Sequence, residues 1–173
     1  LTFPVRRIES PPMPFSREHA FDALARLRPA PVFLDSYRLK QLSEHLDIYF
    51  GPPEEFFLAP DTQFHYTQDR IVPILDNGNF DLVLFDDPNV NQLLYLSIEE
   101  PAVVTRFYNW QQYLGNLLLD VGESCDDHDS IWRIADLVEF GYTEELFALW
   151  ERVGDLPQEQ YERDCRVFVD GLN

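Results

Sequence analysis

Apolar positions first recur at helical spacing at Phe21, Leu24 and Leu27, behind Ser16 as an N-cap and ahead of Pro29, which ends the run. After a break at Pro29 and Pro31, Leu39, Leu42, Leu46 and Tyr49 predict a second helix, capped by Asp35 and stopped at Gly51-Pro52-Pro53, laid across a sheet. Residues 54–69 are less regular and read as a helical turn followed by a short edge strand.

The pattern then changes. Residues 70–75, 80–85 and 91–98 are short, nearly continuous apolar runs, as expected of strands covered at least in part on both faces. Asn77-Gly78 joins the first two in the manner of a type I′ hairpin, since both residues accept the positive φ that this turn demands. Asp86-Asp87-Pro88-Asn89 favours a type I turn into the third, so a three-stranded antiparallel meander is predicted.

Helices return beyond it. Asn109 caps one, with Gln112 placed to complete a capping box; Trp110, Tyr113, Leu114, Leu117 and Leu118 form its apolar stripe, and Gly122 ends it. Three more are expected over 130–140, 143–153 and 157–169, each with a glycine (Gly141, Gly154, Gly171) at or near its C-cap. The organisation predicted is a proline-rich arm over 1–15, an α+β domain over 16–122, and a helical C-terminal extension over 123–173 packed on that domain. The fold class is thus α+β, a small antiparallel β-meander flanked by helices.

Composition supports a sizeable core: 173 residues, 45% apolar and 14% aromatic, are ample for one domain. The net charge of −18 is uneven, because residues 1–60 carry 7 Lys+Arg against 8 Asp+Glu and residues 61–173 carry 6 against 23. Such a field repels phosphate backbones and attracts cations, so nucleic acid is disfavoured and a basic protein partner favoured. An acidic surface kept only for solubility is the plain alternative. Cys125 and Cys165 match no metal or redox spacing, and no stretch approaches the ~20 apolar residues of a membrane span, which makes a cytoplasmic protein the default expectation.

One stretch is dense in possible metal ligands. Glu123, Cys125, Asp126, Asp127, His128 and Asp129 lie within seven residues, yet without the ligand spacing of an EF-hand or of a zinc helix. The simpler reading is an acidic loop in which Asp129 or Ser130 caps the next helix. Asp86-Asp87 and Glu99-Glu100, at opposite ends of one strand, could be paired acids for hydrolysis, but a sequence shows neither their separation nor a cleft. His19, His45, His65 and His128 are scattered, and no phosphate-binding glycine motif occurs. Trp110, Trp132 and Trp150 lie on predicted helices and read as core or helix-packing residues rather than base-stacking platforms.

The hairpin "VPILDNGNFDLVLFD", preceded by a helix and a proline-broken aromatic segment and followed by a third strand and "YNWQQYLGNLL", resembles the Smi/Knr family of the SUKH superfamily over about half the chain. Val72-Pro73-Ile74, Asp76 to Asn79, Asp86, and Asn109 to Leu118 carry the match; Gly51-Pro52-Pro53-Glu54 departs from the family's usual Leu-Pro helix start, and its Gly-Gly is missing. The resemblance implies a non-enzymatic α+β domain that binds proteins, like bacterial immunity proteins that neutralise toxins, many of them nucleases, or fungal regulators of cell-wall synthesis. No cofactor or metal is implied. Two readings follow. One is an immunity-type or regulatory module docking a basic partner through Asp86, Asp87, Glu99, Glu100, Asp126, Asp127 and Asp129. The other is a small metal-assisted hydrolase built on the 123–129 loop.

Overall fold

Ser16 accepts a hydrogen bond from the His19 N–H at 3.2 Å while its own N–H donates to His19 Nδ1, closing a capping box at the start of α1 (Arg17–Arg26). The computed structural model describes residues 13–67, 70–77, 82–87, 89–97, 99, 104–125, 127–154 and 156–173, without the side chains of Tyr66 and Leu82. Most of the proline-rich arm, Gly78 of the hairpin turn, and Pro88, Glu100 and Asp126 lie outside these residues.

Helix α2 (Pro31–Ser36) starts on Pro31, whose fixed φ suits a first helical position. The long helix expected behind Asp35 does not form. Asp35 sits near the end of α2, and residues Ser43–Ile48 make a 3₁₀ turn broken at Glu44 and His45, both at φ 54°. Leu42, Leu46 and Tyr49 are buried as expected, whereas Leu39 is 55% exposed. Tertiary contacts win over helical continuity: Phe33 packs on Phe50 at 4.3 Å between ring centroids, and the Tyr37 hydroxyl donates to the Ile74 carbonyl at 2.6 Å. The following segment forms two short helices, α3 (Glu55–Leu58) and α4 (Pro60–Thr67), on either side of an extended Ala59, so among its described residues the expected edge strand is absent. Buried Gln63 explains the join, donating to the carbonyls of Phe57 and Leu58 that the end of α3 leaves free.

The sheet is an antiparallel meander in the order β1-β2-β3-β4, with β1 Val72–Asn77, β2 Leu82–Asp87, β3 Gln92–Ser97 and β4 Val104–Phe107. The three predicted strands pair antiparallel as expected, but β1 and β2 end two residues later than predicted. Asn77, expected in a type I′ turn, lies in β1 opposite Leu82 without a positive φ, and Asp86 and Asp87, expected in the next turn, lie in β2, with Asp87 opposite Gln92. Strand β4 is an addition that the pattern did not signal, because Val104-Thr105-Arg106-Phe107 is short and half polar. Edge strand β1 tolerates Pro73 and carries an irregularity between Pro73 and Leu75, beside the Ile74 carbonyl that takes the Tyr37 hydroxyl. Both faces are covered. Leu84, Leu93 and Phe107 join the main core with α1 and α5, while Val83, Phe85 and Leu96 form a smaller cluster with Phe57 and Ile71.

Helix α5 (Trp110–Ser124) is capped by Asn109, whose side chain accepts the Gln112 N–H at 2.9 Å. The return bond differs from a capping box: Gln112 Oε1 accepts from Tyr108, one residue before the cap. Gly122 does not end α5. A Cβ there would lie 2.4 Å from Trp150 Cζ2, so this glycine lets α7 approach closely. Leu114 is fully buried, but Trp110 only partly.

The last three helices are α6 (His128–Leu137), α7 (Thr143–Val153) and α8 (Gln158–Asp170). Helix α6 starts earlier than predicted because Asp127, not Asp129 or Ser130, takes the cap. Their glycines do not supply left-handed C-caps: Gly154 and Gly171 are right-handed, and Glu139 (φ 57°) turns the chain after α6. Ile134, Leu149 and Val169 of these helices share one core with Leu24, Leu84 and Leu114.

Two substitutions test this packing. Leu114→Ala should cost about 2 to 5 kcal/mol in chemical denaturation, as expected of a core truncation. Gly122→Ala should cost about 1 to 3 kcal/mol, even though alanine favours a helix by ~1 kcal/mol, because the methyl meets an indole ring rather than a flexible chain end. A gain in stability would mean that Trp150 swings aside.

Candidate functional site

Alternation along β2 separates the two acids at its end. Asp86 faces α1 with Leu84, is 6% exposed, and lies 3.3 Å from the Arg26 guanidinium. Burial raises its carboxyl above the ordinary value, and the Arg26 hydrogen bond and charge oppose that rise. Asp87 points to the other side of the sheet, half-buried, and accepts the Asn89 N–H at 3.1 Å. Glu99 is exposed just beyond the far end of β3, about 20 Å away at ~3.3 Å per strand residue. These acids do not converge, and Asp86 is engaged with Arg26 inside the fold rather than free.

At the start of α6 the acids belong to helix capping. Asp127 accepts from the Asp129 N–H at 3.3 Å and from the Ser130 hydroxyl at 2.5 Å, with Arg133 at 3.9 Å. The Ser130 hydrogen bond, with help from the Asp129 and Ser130 N–H groups and Arg133, holds the Asp127 carboxyl below its ordinary value. Negative charge is favoured at a helix N-terminus, so Asp127 and the exposed Asp129 have a structural reason to be acidic. Among the described residues, no three or more His, Cys, Asp or Glu side chains are placed to hold a metal ion.

The most perturbed carboxyl is one that the sequence did not single out. Asp120 lines a cleft of about 250 Å³ between α5 and α8, with Asn116, Glu123, Tyr161, Cys165 and Arg166 among its walls. Burial and then the nearby Glu123 charge raise Asp120 to about 7, and the Asn116 amide donates to it at 3.3 Å. Burial also pushes Tyr161 up to about 12 and raises the Cys165 thiol, so neither is an anionic nucleophile at neutral pH. The cleft holds a proton-exchanging acid without an activated group beside it. Asp120 escaped notice because in sequence it is a single polar position at the end of an apolar helical stripe.

Most remaining acids of the C-terminal helices face solvent. Residues 123–173 hold 14 Asp+Glu against 4 Arg. Two of these cations are engaged within the fold, Arg133 with Glu44 at 3.2 Å and Arg166 with Asp170 at 2.8 Å. Exposed Asp129, Asp136, Glu144 and Glu151 take part in no ion pair among the described residues. No helix among the described residues is long and apolar enough to cross a membrane. Compared with protein-family models, with curated proteins and with solved structures, the chain matches none.

The Asp120 environment makes stability depend on pH. A carboxyl whose folded value is raised from 3.8 to about 7 binds its proton more tightly in the folded state, so stability is greatest below pH ~4 for this group and falls as pH rises toward ~7. Asp120→Asn should remove that loss: in urea denaturation the variant should match the wild type near pH ~4.5 and exceed it by about 2 to 4 kcal/mol at pH ~8. Equal stability at both pH values would show Asp120 to be freely solvated.

Proposed function

We propose that this chain is a non-enzymatic protein-binding module that docks a basic partner through the acidic surface of its C-terminal half. The observation that carries the reading is the set of outward-facing carboxylates on α6 and α7, unmatched by cations among the described residues. Carboxylates needed only for helix ends would sit at N-termini, as Asp127 does; Asp136 and Glu151 lie near C-termini, where the helix dipole disfavours them. A complementary cationic surface relieves that cost on binding.

The resemblance to the Smi/Knr family gives the reading a biological form, an immunity-type or regulatory protein. A nuclease toxin is the partner class that fits most directly, because a groove that holds phosphates is cationic and an acidic inhibitor can occupy it. In this reading Asp87, Glu99 and Asp129 contribute to the field, and Asp86 contributes little because Arg26 neutralises it.

Salt dependence tests the mechanism. The protein should be co-expressed with the products of neighbouring genes, any complex isolated, and association rates compared at ~50 and ~500 mM salt. The on-rate should fall at least several-fold with salt and further in Asp87→Asn/Glu99→Gln/Asp129→Asn, with a smaller change in the dissociation rate. A partner whose association is indifferent to both would overturn electrostatic docking.

A further inference from the structure

The acidic surface contains one aromatic feature that packing does not use up. Trp132 of α6 stacks on Phe147 of α7 with ring planes 12° apart and centroids at 5.2 Å, and His128 meets the same phenyl ring edge-to-face, with centroids at 5.1 Å. Phe147 leans on Trp150, which passes inward to Gly122. The stack thus links the partly buried Trp150 and Phe147 to the surface, where Trp132 remains 45% exposed. Packing on Phe147 leaves nearly half of Trp132 open, so the sequence-based assignment of Trp132 to helix packing accounts for only part of its surface.

Helical spacing surrounds this stack with carboxylates. Residues three and four apart share a helix face, which puts Asp129 and Asp136 on the Trp132 stripe of α6 and Glu144 and Glu151 on the Phe147 stripe of α7. All four are exposed. The only cation of α6, Arg133, is drawn off to Glu44 and Ser130. An exposed indole between two carboxylates matches a guanidinium, which is planar, stacks on aromatic faces and donates to carboxylates in pairs.

We propose that the Trp132–Phe147 stack and its four carboxylates form a docking site for an arginine side chain presented by a basic protein. The inference rests on the basic-partner reading and locates its central contact on α6 and α7. Charge complementarity selects the occupant: an apolar segment would bury carboxylates without partners, and a lysine would satisfy the charge but not the planar stack. The surrounding acids supply steering, whereas Trp132 supplies the specificity for arginine.

The probes are fluorescein-labelled nona-arginine and nona-lysine, titrated by anisotropy at ~150 mM salt so that general attraction is screened. Nona-arginine should bind several-fold more tightly than nona-lysine, and only the Trp132 indole N–H signal, assigned from its loss in Trp132→Ala, should shift strongly on binding. Trp132→Ala and, separately, Asp129→Asn/Asp136→Asn should each weaken nona-arginine about tenfold, whereas Glu159→Gln/Glu162→Gln on α8, which removes the same charge, should change it no more than about twofold. The half-exposed position of Trp132 makes the alanine variant compatible with folding, circular dichroism checks that, and the double Asn variant tests the site with the indole intact. Equal losses in the α8 control, equal affinity for the two peptides, or an unmoved Trp132 signal would each overturn the site while leaving salt-dependent docking of a basic partner standing. Nona-arginine that fails to bind at all also overturns the site, and the salt dependence of the isolated complex then decides the broader reading.

Discussion

The buried amide of Gln112 is the constraint through which the two halves of the chain are joined. Its oxygen accepts the Tyr108 N–H at 2.8 Å, and its nitrogen donates to the carbonyls of Asp170 and Leu172 at 3.2 Å each. Asn109, the cap of the same helix, donates to Leu172 as well. The N-terminus of α5, the end of α8 and the last residues of the chain are therefore held by two adjacent amide side chains. A buried carbonyl without a donor costs about 1 to 3 kcal/mol, so replacing Gln112 would loosen all three at once. Gly115 completes the lock: a Cβ there would lie 2.5 Å from Leu172 Cδ1, and its absence lets Leu172 seat against α5.

Because α5 also packs on the sheet, the C-terminal helices share a core with the meander. The element types of this core were largely readable from the sequence wherever local chemistry and burial agreed. Asn109, the Leu114 stripe and the Thr143–Val153 helix are such cases, and so is the antiparallel order of the first three strands, although Asn77, read as a turn residue, belongs to β1. Reading failed where tertiary contacts overrode the local signal. Leu42, Leu46 and Tyr49 keep a helical period and are buried, but a break at Glu44 and His45 delivers them to the core instead of a continuous helix. Glycine was misread for a related reason. Gly122 sits inside α5 to admit Trp150, and Glu139 rather than Gly141 takes the left-handed position after α6.

The candidate docking surface was legible as charge but not as geometry. Composition identified an acidic C-terminal half, yet could not show that Asp86 and Asp87 lie on opposite faces of the sheet, or that one of them is neutralised by Arg26, sixty positions away in sequence. Asp120 was invisible because its perturbation comes from burial by α8 and from Glu123, relations that sequence spacing does not mark as unusual. Trp132 was visible only as an apolar helical position. Its stacking on Phe147 depends on how α6 and α7 meet.

The distribution of ion pairs suggests why the acidic surface has been left uncompensated. Arg26 ties α1 to β2, and Arg133 ties α6 to the turn at Glu44. These cations are placed at junctions between elements. The outward faces of α6 and α7 have none on the stripes of Trp132 and Phe147, so repulsion among their carboxylates is a standing cost to the folded state. Such a cost falls whenever a cation occupies the surface, which couples partner binding to stability: a ligand that binds the native state alone adds RT ln(1 + [L]/Kd) to the free energy of unfolding. For the proposed partner, the part of that gain that comes from relief of repulsion would be screened by salt, and the part that comes from stacking on Trp132 would not. On the proposed docking reading, a surface built from both would give fast, charge-steered encounter with basic proteins and retention of those that present a planar cation to the indole.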